Sequence, residues 1–117
     1  MNNGQDLYIG LMSGTSSDAI DAALVQFSDS GWELLSTLAA TLDASIVDRI
    51  QHAVDGTADR INDISELDAL LAQAFADTAL RLKAQARVDQ ITAIGSHGQT
   101  VRHRPGGCLP YTVQLGS

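Results

Sequence analysis

Cysteine is nearly absent from this chain of 117 residues: Cys108 stands alone. No internal disulfide can form, and no pair of cysteines or Cys/His spacing offers a zinc site. A single unpaired thiol is the usage of a reducing compartment, so a cytoplasmic location is expected. Aromatics make up 4% of the residues, with one Trp, two Tyr and two Phe. The packing therefore falls to Ala, Leu, Ile and Val. Basic residues are scarce too: 7 Lys and Arg against 14 Asp and Glu give a formal net charge of -7. That balance argues against nucleic acid and anionic membranes as partners, which call for clustered cations. No apolar run approaches the roughly 18 residues of a membrane span. The opening residues "MNNGQDLYIG" lack a basic segment and a long apolar stretch, so no signal peptide is expected.

What is present suits one soluble domain of mixed class, with 44% hydrophobic residues for a core. Leu7 to Met12 reads as a short buried strand, and Ile20 to Phe27 as a second. Ser28-Asp29-Ser30-Gly31 is a turn. Trp32 to Ala40 then reads as a third strand, completing an antiparallel meander. Ile46, Val47, Ile50 and Ala53 share one face of a short helix over Asp43 to Ala53, which Gly56 ends. From Ile64 to Ala86 apolar residues recur at three- and four-residue spacing, the period of a long helix. Asp63 and Glu66 read as its capping box, with acids early and Arg81, Lys83 and Arg87 late. Ile91 to Gly95 reads as a buried strand, and "TVRHR" and "YTVQL" flank a Pro/Gly turn as a hairpin. Three meandering strands, a crossover helix, a further strand and a hairpin make an α/β chain. The order is that of the N-terminal part of an RNase H-like, actin-like ATPase domain.

Two loops carry candidate chemistry. "SGTSSD" leaves the first strand with almost no side chains, and glycine with successive backbone N–H groups can form a nest for an anion. A plain hairpin turn explains the same residues, and from spacing alone it leads. Asp18 and Asp21 could hold a magnesium ion through water, but from spacing alone the leading reading is that Asp18 caps the turn and Asp21 faces solvent. It is not a Walker A loop. "GSHGQT" leaves the end of a later strand, where ligands of α/β sheets gather. His97 and Gln99 there suit a polyhydroxyl ligand such as a sugar; the alternative is a structural loop with His97 bonded to backbone. Arg102, His103 and Arg104 form a small basic patch that fits either an anion or a solvated hairpin edge. Cys108 has no base beside it.

Taken whole, "IGLMSGTSSDAIDAALVQF" resembles the first signature of the anhydro-N-acetylmuramic acid kinases, close to G-x-M-S-G-T-S-x-D-G-x-D. "AIGSHGQTVRHRPGG" with "YTVQLG" resembles their second, close to I-G-x-H-G-Q-T-x-x-H-x-P followed by T-x-Q-I-G. The resemblance implies ATP-dependent phosphorylation of O6 of 1,6-anhydro-N-acetylmuramic acid with hydrolytic opening of the anhydro ring, in cell-wall recycling. It implies ATP and Mg2+ as cofactors and an amino sugar as small-molecule partner, with homodimerisation an option for full-length members. It implies that Ser13, Gly14, Thr15, Ser16, Ser17, Asp18, Ala19, Ile20 and Asp21 face the ATP phosphates. It implies that Ser96, His97, Gln99 and Thr100 lie beside the sugar, and it leaves the metal ligands unknown.

The sequence departs from the pattern at two points. Ala19 replaces the usual glycine, which would strain the turn by roughly 1 kcal/mol if that position needs a positive φ. Family members are also much longer, and their water-activating aspartate lies downstream. The expectation is therefore a single partial lobe over residues 1–117, with no catalytic residue among them and no activity alone. Two other readings stay open. One is a remnant that binds nucleotide or sugar without catalysis. The other is a different sugar kinase of the same fold, against which "SHGQT" argues.

Overall fold

A computed structural model describes residues 6–14 and 16–116. The strands β1 (Asp6–Ser13), β2 (Ala19–Ser28) and β3 (Gly31–Thr41) come first, then helices α1 (Ala44–Asp55) and α2 (Ile61–Ala86). The strands β4 (Ala93–Ser96), β5 (Gln99–Arg104) and β6 (Tyr111–Leu115) follow. The four-stranded sheet has the order β3-β2-β1-β4, with β1 antiparallel to β2 and parallel to β4. The meander, the crossover helix and the hairpin are thus all present.

Side-chain alternation builds the core. Leu7, Ile9 and Leu11 of β1 and Ile20, Ala22 and Leu24 of β2 are buried, and they join Leu67, Leu71, Phe75 and Leu82 of α2 in one apolar cluster. Each large side chain so buried contributes about 1.5–3 kcal/mol. β1 is therefore buried on one face only, as an antiparallel pair allows. In the pairing of β2 with β3, Leu35 is the extra residue of a β-bulge between the Leu24 and Val25 positions. The Gln85 amide of α2 spans that place, donating to Ser36 Oγ and the Thr37 carbonyl, both at 2.9 Å.

The opposite face of the sheet carries no helix among the described residues. Tyr8 and Phe27 meet there edge to face at 5.3 Å, and Trp32 is 69% exposed. Gly10, Ala23, Thr37 and Gly95 are successive cross-strand partners, and they form the floor of an open trough of about 650 Å³.

Three expectations are corrected. α2 begins at Ile61, one turn early, and Asp63 is the third helical residue, its carboxylate accepting the Arg60 backbone N–H at 3.3 Å. Glu66 instead pairs with Arg49 of α1 at 3.3 Å, so it is not part of the cap. The strand expected over Ile91 to Gly95 begins at Ala93 and is largely exposed, with Ile94 54% exposed. It sits at the sheet edge, beyond the cover of α2, so an apolar run there does not report burial. α1 matches its expected face, with Ile50 and Ala53 buried and Gly56 left-handed at φ 82°.

β5 and β6 pair as a separate ribbon whose Val101 and Leu115 reach the core. Gly116 locks the ribbon to α2. It has φ 87°, its N–H donates to Asp68 Oδ1 at 2.7 Å, and an added Cβ would stand 2.8 Å from Leu71 Cβ. Gly116→Ala is expected to cost about 2 kcal/mol or more, from left-handed strain plus overpacking, measurable by urea unfolding. Gly106→Ala, whose Cβ meets nothing within 4 Å, serves as the control and should change little.

A second prediction concerns pH. His52, in the last turn of α1, donates from Nδ1 to the Asp48 carbonyl at 2.8 Å, and the Asp48 carboxylate lies 3.5 Å away. That hydrogen bond and then that charge raise its pKa above the ordinary 6.5. A raised value in the folded state stabilises below the unfolded pKa and is lost as pH rises through the folded one. The melting-point advantage over His52→Gln should therefore be larger near pH 6 and shrink by about pH 8.

Candidate functional site

The parallel pairing of β1 and β4 aims their exits in the same direction. The ladder runs on past β4, where the His97 N–H donates to the Leu11 carbonyl at 2.9 Å. The loop after β1 and the loop after β4 consequently stand side by side, as the C-terminal ends of parallel strands do in ligand-binding α/β sheets.

Among the described residues a side-chain hydrogen bond joins them. Ser13 Oγ donates to Gln99 Oε1, and both residues are buried. The Gln99 amide in turn donates to the Thr100 carbonyl at 3.0 Å, which fixes its oxygen toward Ser13. The two segments singled out in the sequence, 86 positions apart at this bond, are thereby one structural unit.

In the first loop the Ser17 N–H donates to the Gly14 carbonyl at 3.0 Å, and Ser17 is left-handed at φ 58°. That bond commits the Ser17 N–H to closing the turn itself. Ser16 Oγ donates to Asp18 Oδ1 at 2.6 Å, and the Asp18 carbonyl accepts the Leu42 N–H at 2.9 Å. Thr15 lies outside the described residues. Ala19 and Ile20 begin β2, paired with Thr41 and Ala40. Ala19 has no positive φ, so the strain contemplated for its missing glycine does not arise; the left-handed residue is Ser17. Asp21 is exposed on the open sheet face and lines the trough with Met12, Gly95 and His97.

In the second loop, Gly98 turns the chain at φ 76°, with the Leu115 carbonyl 2.7 Å from where a Cβ would sit. Ser96 Oγ is enclosed and has no hydrogen-bond partner among the described residues. Thr100 is half-buried and pairs with Gln114 across the ribbon. Gln114 belongs to the T-x-Q-I-G stretch but was given no site role, because "YTVQL" alternates like a strand with a solvent face. Its amide nitrogen donates to the His97 carbonyl at 3.0 Å and lies 3.3 Å from both His97 ring nitrogens.

The basic patch is partly structural. Arg102 Nη2 donates to the Ala53 carbonyl and to Asp59 Oδ2, both at 3.2 Å, and so holds the end of α1. His103 Nδ1 meets Thr112 Oγ1 at 2.8 Å across the ribbon. Arg104 and Cys108 are exposed on the hairpin.

Over residues 6–117 the chain matches the model of the family described as anhydro-N-acetylmuramic acid kinase. The chain belongs to that family. It is 44% identical over 114 residues to the anhydro-N-acetylmuramic acid kinase of Vibrio vulnificus strain CMCP6, covering 96% of this chain and 31% of the relative. It is 43% identical over 113 residues to that of Colwellia psychrerythraea, covering 93% and 28%. It is 40% identical over 114 residues to that of Coxiella burnetii, covering 96% and 30%. The chain therefore spans less than a third of the length of these relatives. Those relatives are named kinases, and the fold is that of the N-terminal part of an actin-like ATPase domain.

The residues present can be tested against the ATP and Mg2+ that kinase chemistry implies. At the first turn Gly14 is open enough for a phosphate to approach the backbone, while Ser16 Oγ is engaged by Asp18 and Ser17 is buried. Among the described residues no three His, Cys, Asp or Glu side chains converge on a metal position. Mg2+ is commonly held by one or two carboxylates, phosphate oxygens and water. Asp18 and Asp21 are the available carboxylates.

Ser13→Ala removes the one donor to the buried Gln99 Oε1 and is expected to cost about 1–3 kcal/mol. Gln99→Leu removes the other partner. A double-mutant cycle read by chemical denaturation should show positive coupling of about 0.5 kcal/mol or more. Additive losses would mean that the two loops are not joined through this bond.

Proposed function

We propose that these residues form one wall of the active site of an ATP-dependent kinase of 1,6-anhydro-N-acetylmuramic acid. In that reaction water adds at C1 and the C1–O6 bond breaks. O6 takes the γ-phosphoryl group, giving N-acetylmuramic acid 6-phosphate and ADP. Family membership supports the reading, and the observation that carries it to this wall is the Ser13–Gln99 bond uniting the two loops.

In this reading the turn from Ser13 to Asp21 receives the ATP phosphates. The open backbone at Gly14 would let the anionic oxygens approach, and Asp18 and Asp21 would hold Mg2+. Bound Mg2+ supplies charge neutralisation on the transferring phosphoryl group. Ser96, His97, Gln99 and Thr100 orient the sugar. Gln99 serves both sides, since its carbonyl anchors Ser13 while its backbone starts the strand beneath the sugar loop. No residue of the chain is assigned the role of general base. The protein acts in the cytoplasm, where the sugar is an intracellular small molecule.

Thermal unfolding of the 117-residue polypeptide with Mg-ATP tests the phosphate assignment. A ligand bound only to the folded form at about 100 times its Kd adds about 2.7 kcal/mol, so the melting point should rise with nucleotide concentration. Asp18→Asn should blunt that rise. The same sample is expected to show no sugar-dependent ADP release, because phosphoryl transfer needs both substrates positioned and screened from water. A melting point indifferent to millimolar Mg-ATP would sink the assignment.

A further inference from the structure

The sheet face turned away from α2 carries large apolar side chains at one end and small ones at the other. In cross-strand register, Phe27 and Trp32 form a first row beside Asp6, and Tyr8, Val25 and Leu34 form a second. Gly10, Ala23, Thr37 and Gly95 make the third row, and Met12, Asp21 and Ala39 the fourth. The large end stands in solvent: Trp32 is 69%, Leu34 51% and Phe27 48% exposed. The small end is hollow, since Gly10, Ala23, Thr37 and Ala39 line the trough of about 650 Å³. The carboxylates and the imidazole of this face stand at its two ends, Asp6 at one and Asp21 with His97 at the other. Its centre is thus apolar and its rim polar, the anatomy of a protein–protein interface.

A relief of this kind fits itself. Consider a second copy turned about a two-fold axis that lies between the two sheets and runs perpendicular to the strands. β3 then crosses the partner's β3 in the reverse direction, and the first row of each copy meets the fourth row of the other. Trp32 falls on the partner's Ala39, and Tyr8 and Leu34 fall on the partner's Gly10 and the partner's Thr37. Every contact is made twice, so the pair closes on itself. Sheets packed face to face lie about 10 Å apart with strands within about 30° of one another, a gap that the large rows fill and the small rows accept. Four strands about 4.8 Å apart and about eight residues long offer about 500 Å² of flat face per copy, hence about 1,000 Å² over a pair, the size at which a specific interface begins.

We propose that this face is a self-association surface, on which two copies of the chain form a closed dimer with Trp32 of each seated on the small-residue floor of the other. The proposal does not rest on the kinase reading. It rests on the register of large against small rows and on the absence of any covering helix among the described residues.

Sedimentation equilibrium of the 117-residue chain from about 1 to 200 μM tests it. A single monomer–dimer equilibrium is expected, with the dimer prevailing at the top of that range. Trp32 is the one tryptophan of the chain, so its emission reports the contact. With rising concentration the emission should move to shorter wavelength and lose access to iodide. Thr37→Phe fills the receiving floor, and Leu34→Lys puts a charge at the centre. Each should raise the dissociation constant about tenfold or more. Both side chains point away from the core, and far-UV circular dichroism checks that the variants fold. Leu109→Lys, on the exposed hairpin tip, should leave the association unchanged. A chain that stays monomeric over the whole range overturns the proposal, and so does a dimer whose Trp32 remains open to iodide; neither outcome depends on a variant. A dimer indifferent to both substitutions overturns the surface, and association that grows past two copies overturns the closed arrangement. A monomer whose Trp32 emission answers to Mg-ATP makes the face a small-molecule cleft and overturns it as well.

Discussion

The parallel ladder between β1 and β4 is the constraint on which the rest of this structure depends. Two antiparallel neighbours would send their exits to opposite ends of the sheet. Parallel ones share an end, and here that brings the glycine- and serine-rich turn after β1 beside the His97 loop after β4. A parallel pair cannot be closed by a short turn. The chain between them is long, and α2 is the part of it that packs on β1, β2 and β3. The buried Leu67, Leu71, Phe75 and Leu82 therefore stabilise the crossover and set the register of the loops at once.

Glycines in the second loop and its hairpin act through contact rather than freedom alone. Gly98 lets the chain turn against the Leu115 carbonyl, and Gly116 lets the ribbon close onto Leu71 and Phe75. These two contacts bring β6 over the loop, which places Gln114 against His97 and Gln99 against Ser13. Gly10 and Gly95 are a different case. They pair directly on parallel strands, and an added Cβ would meet nothing within 4 Å at either. They keep the trough beside His97 deep.

Charge is distributed to match. The cavity lining contributes Asp21 and His97 as its ionisable groups, and Arg102 is committed to Asp59 and the end of α1. Under the proposed reading, a phosphate at the first turn would meet the backbone near Gly14, with Asp18 and Asp21 left for its metal.

Much of this was legible from residues in order. The period of two in β1 and β2, the long helical period to Ala86 and the turn glycines report local geometry, which neighbours in sequence encode. The two loop signatures were legible for the same reason. The burial of β4 was misjudged because an apolar run says nothing of whether an element lies at an edge. The start of α2 was misjudged because Asp63, read as the cap, is the third helical residue and closes back on the Arg60 N–H. The left-handed residue of the first turn proved to be Ser17, while Ala19 pairs with Thr41 as the first residue of β2. The Ser13–Gln99 bond, the hold of Gln114 on His97 and the commitment of Arg102 were decided only by the tertiary structure. Each joins residues whose separation in sequence is bridged by a crossover or a ribbon, and no local period carries the register of such a closure.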